Sequence, residues 1–217
     1  MKKSMETTNS KQVFNLIIVD ESGSMSVIRK QAFSGMNETL ETIKSMQQQY
    51  PDTEQRVSLV TFDSDHTTWH YDNLPANKTA SLKWESYNPG GCTPLYDAIG
   101  SAVSKVNAVA AKDSHVLVTI ITDGEENSSR EWKLSAIRSL IEKLKTEGWT
   151  FTLIGTDNLD VESMAGAMAI DEHLEFHQDE EGTRKMFARE RRCRARFNAC
   201  VEACAPMVSG SFFKDIE

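Results

Sequence analysis

Three short clusters of oxygen-bearing side chains stand out along the chain: Asp20-Glu21-Ser22-Gly23-Ser24, Gly90-Gly91-Cys92-Thr93 and Thr122-Asp123-Gly124-Glu125. Asp20, Ser22 and Ser24 alternate, so their side chains can converge from one turn. With Thr93 and Asp123 they supply two carboxylates and three hydroxyls. Hard oxygens with room left for water suit Mg2+ or Mn2+ rather than zinc or copper. Two carboxylates neutralise a divalent ion on paper, and hydroxyl ligands add no charge. If the carboxylates act through water, the ion stays electrophilic and an incoming carboxylate can complete its coordination. The competing reading of DESGS alone is a polar loop and helix cap, because Ser and Asp are common caps.

Only the fold can bring these clusters together. Val13–Val19 (VFNLIIV) is β-rich and near-continuous, as a strand buried on both faces should be, although Asn15 interrupts it. From about Val27 to Tyr50, Phe33, Met36, Leu40, Ile43 and Met46 recur at steps of three and four, which predicts an amphipathic helix ended by Pro51. Arg56–Phe62 and His66–Tyr71 read as a hairpin at the sheet edge. Asn88-Pro89-Gly90-Gly91 is a turn, followed by a helix over Pro94–Ala111. Val116–Thr122 is a buried strand, Arg130–Glu147 a helix closed by Gly148, and Thr150–Gly155 a strand. A short helix (Val161–Met168), a short strand (His173–His177) and a last helix (Gly182–Ala203) follow. Strands alternating with helices predict an α/β fold: a doubly wound, mostly parallel sheet with one antiparallel edge strand and helices on both faces. In such sheets ligands sit at the carboxyl ends of central strands, where all three clusters fall.

DESGS, GGCTPLYDAI and TDGE resemble the metal-ion-dependent adhesion site of von Willebrand factor A domains, whose first element reads D-x-S-x-S. The five family ligand positions match Asp20, Ser22, Ser24, Thr93 and Asp123. The resemblance runs from about Val13 to His177 as element order and is sharp at the three motifs. It implies Mg2+ (or Mn2+) as the metal and a protein partner whose Asp or Glu docks onto it. The chain looks like intracellular bacterial-type members, which serve in multiprotein assemblies, in stress systems such as tellurite resistance, or beside ATPases. It places the domain at residues 13–204, between a polar N-terminal extension (1–12) and a C-terminal tail (205–217). Glu21 fills the variable position of the motif. Glu125 adds negative charge nearby. Asp97, four residues after Thr93, reads either as a hydrogen-bond acceptor behind the site or as a plain first-turn acid.

The bulk composition narrows the class. The chain has 217 residues, 39% hydrophobic and 26% charged, which suits one soluble globular domain with a real core. A net charge of −8 argues against a nucleic-acid surface over the whole protein. The polar first dozen residues lack the apolar stretch of a signal peptide, and no run is long enough to span a bilayer, so a cytoplasmic protein with no membrane partner is expected. The four cysteines form no CxxC pair, which speaks against structural zinc.

Two alternatives stay open. One is a metal-dependent hydrolase or phosphatase. Asp20 after a buried strand superficially resembles an aspartyl-phosphate enzyme, but such enzymes want a second aspartate where Ser22 stands. None of the five histidines adjoins a cluster, and no P-loop or GxSxG elbow occurs. A non-enzymatic role is therefore expected. The other is a nucleic-acid accessory protein using the basic run Arg184, Lys185, Arg189, Arg191, Arg192, Arg194 and Arg196. The favoured reading of that run is a solvated face over an apolar stripe of Met186, Cys193, Phe197, Cys200 and Cys204. The tail presents Phe212 and Phe213, and it is expected either to pack on the domain or to engage a partner.

Overall fold

In the computed structural model of the chain, residues 11–205 and 211–214 are described. The first ten residues of the polar extension, and tail residues 206–210 and 215–217, lie outside them. Six strands form one sheet: β1 (Lys11–Asp20), β2 (Thr53–Phe62), β3 (Thr67–Pro75), β4 (His115–Thr122), β5 (Trp149–Thr156) and β6 (Glu172–Phe176). The order across the sheet is β3-β2-β1-β4-β5-β6. All neighbours pair in parallel except β2 and β3, which form the antiparallel edge hairpin. The helices are α1 (Arg29–Gln49), α2 (Leu95–Asn107), α3 (Leu134–Thr146), α4 (Val161–Ala167) and α5 (Glu180–Glu202).

β1 lies at the centre and alternates between two cores. Val13, Ile17 and Val19 face α1 and α5, while Phe14, Leu16 and Ile18 face α2, α3 and α4. Strands covered on both faces read as continuous apolar runs, which is why β1 and β4 were visible as such. Among the described residues no helix is long and apolar enough to cross a membrane.

Two expectations fail and one alternative is decided, each for a tertiary reason. The third helix begins at Leu134 rather than Arg130, because the Asp97 carboxylate accepts the backbone N–H groups of Arg130, Glu131 and Trp132 at 2.7, 3.0 and 2.7 Å and holds them as a loop. The arginines of α5 are not all on a solvated face. Arg194 is fully buried, with its guanidinium bonded to Glu190, Asn15 and Thr119. Phe212 and Phe213 are buried rather than exposed, so of the two alternatives for the tail these residues take packing on the domain. They pack edge to face, and the backbone around them is held by Arg196, Arg189 and Glu172. Of the cysteines on the stripe, Cys193 is buried, Cys200 half-buried and Cys204 exposed.

Candidate functional site

Asp20 is the last residue of β1, and Asp123 directly follows β4. These neighbouring strands flank the point where the sheet, built outward through β2 and β3, restarts on the other side. Loops leaving the strand ends diverge there and open a crevice.

The five sequence-selected residues meet at that crevice. Asp20 is fully buried: Oδ1 accepts the Ser22 N–H at 2.7 Å and Oδ2 accepts the Thr122 hydroxyl at 2.6 Å. Ser24 Oγ donates to Asp123 Oδ1 at 2.6 Å and lies 3.2 Å from Ser22 Oγ. Thr93 arrives from the opposite loop. A Cβ on Gly124 would stand 2.9 Å from Thr93 Oγ1 and 3.7 Å from Asp20 Oδ2, so only glycine lets the two approach. Ser22, Thr93 and Asp123 are buried and Ser24 is exposed at the rim.

The loops are tied to one another by their backbones. Gly23 N–H donates to Gly91 O at 3.2 Å, Gly90 N–H to Glu21 O at 2.8 Å, and the Tyr87 hydroxyl to Asp20 O at 2.8 Å. Gly91 has a φ of 66°, and a side chain there would strike Ser64 Oγ. On the other side, Thr93 N–H donates to Asn127 Oδ1 at 2.8 Å, and Asn127 N–H returns to Thr93 O at 3.1 Å. The Glu126 carboxylate accepts the N–H groups of Tyr96, Ser128 and Ser129.

Sequence reasoning missed several of these parts. Glu21, read as a filler, is buried and accepts the Asn88 N–H. Gln178, just beyond β6, donates to Asp123 Oδ2 at 2.5 Å. Thr122, which opens the third cluster, donates its hydroxyl to Asp20 and so positions that carboxylate. Asp97 stands in the first turn of α2, as one of its two readings had it, and its carboxylate also clamps residues 130–132. Only Thr122 carried a local signal. Gln178 reaches the site through the sheet order alone.

The electrostatics of the crevice are one-sided. Burial pushes the Asp20 carboxyl up to about 6, against the lowering effect of its Thr122 and Ser22 hydrogen bonds, and the Asp123 charge adds to the rise. Burial also raises Asp123, opposed by its bond from Ser24. Among the described residues no Lys, Arg or His forms an ion pair with either aspartate. Two desolvated carboxylates beside three neutral hydroxyls, with no internal cation, make a donor set suited to a hard divalent ion. Such an ion would reverse both shifts.

A second acidic group lies on the β2–β3 turn, where ligand atoms of Asp63, Asp65 and His66 fall within 4.8 Å of one another. Asp63 Oδ1 already accepts the N–H groups of Asp65 and His66 at 2.7 and 2.6 Å, so this group caps the turn.

The sequence profile of the von Willebrand factor type A domain matches residues 16–189. The chain belongs to this family. VWA domains are protein-interaction modules, many of them metal-dependent. A curated relative, the inter-alpha-trypsin inhibitor heavy chain H2 of Mesocricetus auratus, is 29% identical over 137 residues. That match covers 59% of this chain and 14% of the relative, so this VWA domain spans a small part of that protein's length. Among solved structures, the vWF domain of the type V pili tip protein Mfa5 from Porphyromonas gingivalis superposes with a TM-score of 0.64 at 11% identity, covering 92% of this chain and 98% of that one. The pilus adhesin SpaC from Lactobacillus rhamnosus GG gives 0.64 at 14% identity, covering 85% and 30%. The SpRpn10 VWA domain gives 0.57 at 12% identity, covering 83% and 94%. At these identities the likeness speaks for the VWA architecture alone.

Proposed function

We propose that this VWA domain is a divalent-metal-dependent protein-binding module. Asp20, Ser22, Ser24, Thr93 and Asp123 hold Mg2+ (or Mn2+), and an Asp or Glu of a protein partner completes the coordination sphere. Support comes from the two buried aspartates, brought side by side by separate segments with three hydroxyls around them and, among the described residues, no ion pair to offset their charge. Three neutral ligands leave the ion with a net pull on an incoming carboxylate. Because Ser24 gives its proton to Asp123, its lone pairs are free to face a cation. Thr122 and Gln178 orient the two carboxylates from behind.

Calorimetric titration with Mg2+ and with Mn2+ tests the reading. Wild type should give a saturable single-site heat. Asp20→Ala and Asp123→Ala should give none, with unchanged circular dichroism. Equal heats in wild type and variants would end it.

A further inference from the structure

A groove of about 400 Å³ opens beside the five-residue rim, between the start of α2, the loop after β4 and α4. Its floor is apolar, built from Leu95, Met164 and Met168, and its edges carry the exposed carboxylates of Glu125 and Asp160. No lysine or arginine lines it. Two of its walls continue directly from the rim: Leu95 and Tyr96 follow Thr93, and Glu125 stands two residues after Asp123.

The two carboxylates are differently engaged. Asp160 caps α4 by accepting the Ser163 N–H, and Glu125 forms no ion pair among the described residues. Neighbouring Glu126 is spent on holding the loop, so the groove wall is fixed while Glu125 projects from it. An apolar floor with an acidic lip complements a side chain that has a hydrocarbon stem and a cationic head. Lysine and arginine bury their stems along apolar surface and keep the charge at the water boundary. The cavity across the same loops carries Arg130 and His66 beside its acids and offers no such single-sign lip.

We infer that this groove takes a Lys or Arg of the partner, close in sequence to the acid that reaches the metal. The partner motif is then bipolar: an acid for the metal and a nearby base for the groove. This rests on the metal-dependent reading above and names its partner chemistry. It also answers an electrostatic difficulty, since an isolated acidic peptide would approach a site ringed by Glu125, Glu126 and Asp160.

The test is selection of displayed peptides, each with a fixed central Asp and random flanks, against the full chain in Mg2+. Wild type should enrich Lys or Arg near the Asp. Glu125→Lys, at an exposed position, should shift that enrichment toward Asp and Glu. A synthetic peptide from the wild-type selection should bind Glu125→Gln roughly fivefold more weakly, with the difference shrinking at high salt. Binders that need Mg2+ and lose affinity in Asp20→Ala, yet show no basic preference or the same preference in Glu125→Lys, would overturn the groove and leave the metal reading standing. A Glu125-dependent basic preference that ignores Mg2+ and survives Asp20→Ala would uphold the groove and overturn the metal reading. Enrichment no greater than on an unrelated control protein would overturn both.

Discussion

Carboxylates are buried in this domain in two opposite ways. Beneath α5, Glu190 is buried against Arg194, which also reaches Asn15 on β1 and Thr119 on β4 at 2.6 and 2.8 Å. Asn15 in turn donates to Gln55, and Gln55 to Asn198, so the charge pair sits inside a chain of hydrogen bonds spanning three strands and a helix. At the rim, Asp20 is equally inaccessible but has hydrogen-bond donors and, among the described residues, no ion-pair partner. Desolvation must be offset wherever a charge is buried. The α5 network offsets it with the protein's own cation and so completes the fold. The rim leaves it unmet among the described residues, and the divalent ion proposed above would supply the missing charge.

The α5 pair should give the largest effect when broken. Arg194→Ala leaves Glu190 buried without compensation and orphans the Asn15 and Thr119 acceptors. We expect a loss of about 3–5 kcal/mol in urea unfolding. Adding Glu190→Leu to Arg194→Met should recover more than half of that loss, since neutral side chains of similar volume carry no desolvation cost. If the double variant is as unstable as the single, the network is held by shape and not by charge.

The rim should respond with the opposite sign. Asp20 has a folded pKa of about 6, above the ordinary value of about 3.9, so between those values the folded state holds a proton that the unfolded chain has released. Stability of the metal-free protein therefore falls as pH rises across that window, by up to about 3 kcal/mol. Asp20→Asn should be more stable than wild type at pH 7.5 by about 1–3 kcal/mol and show a shallower fall, the remainder coming from Asp123. Magnesium at a hundred times its Kd should restore about 2.7 kcal/mol to wild type at pH 7.5 and nothing to the variant. Thermal or urea unfolding from pH 4 to 7.5, with Mg2+ or with a chelator, measures all three. A metal-free wild type that gains stability over pH 4–6 relative to Asp20→Asn would refute the one-sided electrostatics.

The contrast also explains what could be read from the chain alone. The rim residues adjoin strand ends, so a continuous apolar run and the polar cluster after it locate each half of the site, and sheet topology joins them. The α5 network has no such signature. Charged residues are mostly exposed, so an arginine-rich helix reads as a solvated face. The visible sign was Asn15, a polar residue in the middle of a buried strand, whose partner lies 179 residues away. The same distance problem hid Phe212 and Phe213, which look like a free tail until β6 and α5 offer them a place. Glu21 and Gln178 were missed because their roles are bonds to backbone and side chains of other loops.

The clamp behind the rim should give the smallest effect, and it connects the two regions' logic. Asp97 is the acid whose burden is shared by three backbone N–H groups, those of residues 130–132. They fix the far end of the loop whose near end, through Asn127, holds Thr93. Asp97→Ala removes one acceptor from three donors at a partly solvated position, where water can replace it. The expected cost is about 1–2 kcal/mol in urea unfolding. Because Thr93 is held by Asn127 and not by Asp97 itself, Mg2+ affinity should drop only a few-fold, with the pH dependence set by Asp20 unchanged. Hydrogen exchange should quicken at residues 130–132 and stay slow at Thr93. Loss of Mg2+ binding as complete as in Asp20→Ala would place Asp97 among the proposed metal's own ligands and erase the division between residues that would meet the ion and residues that hold their loops.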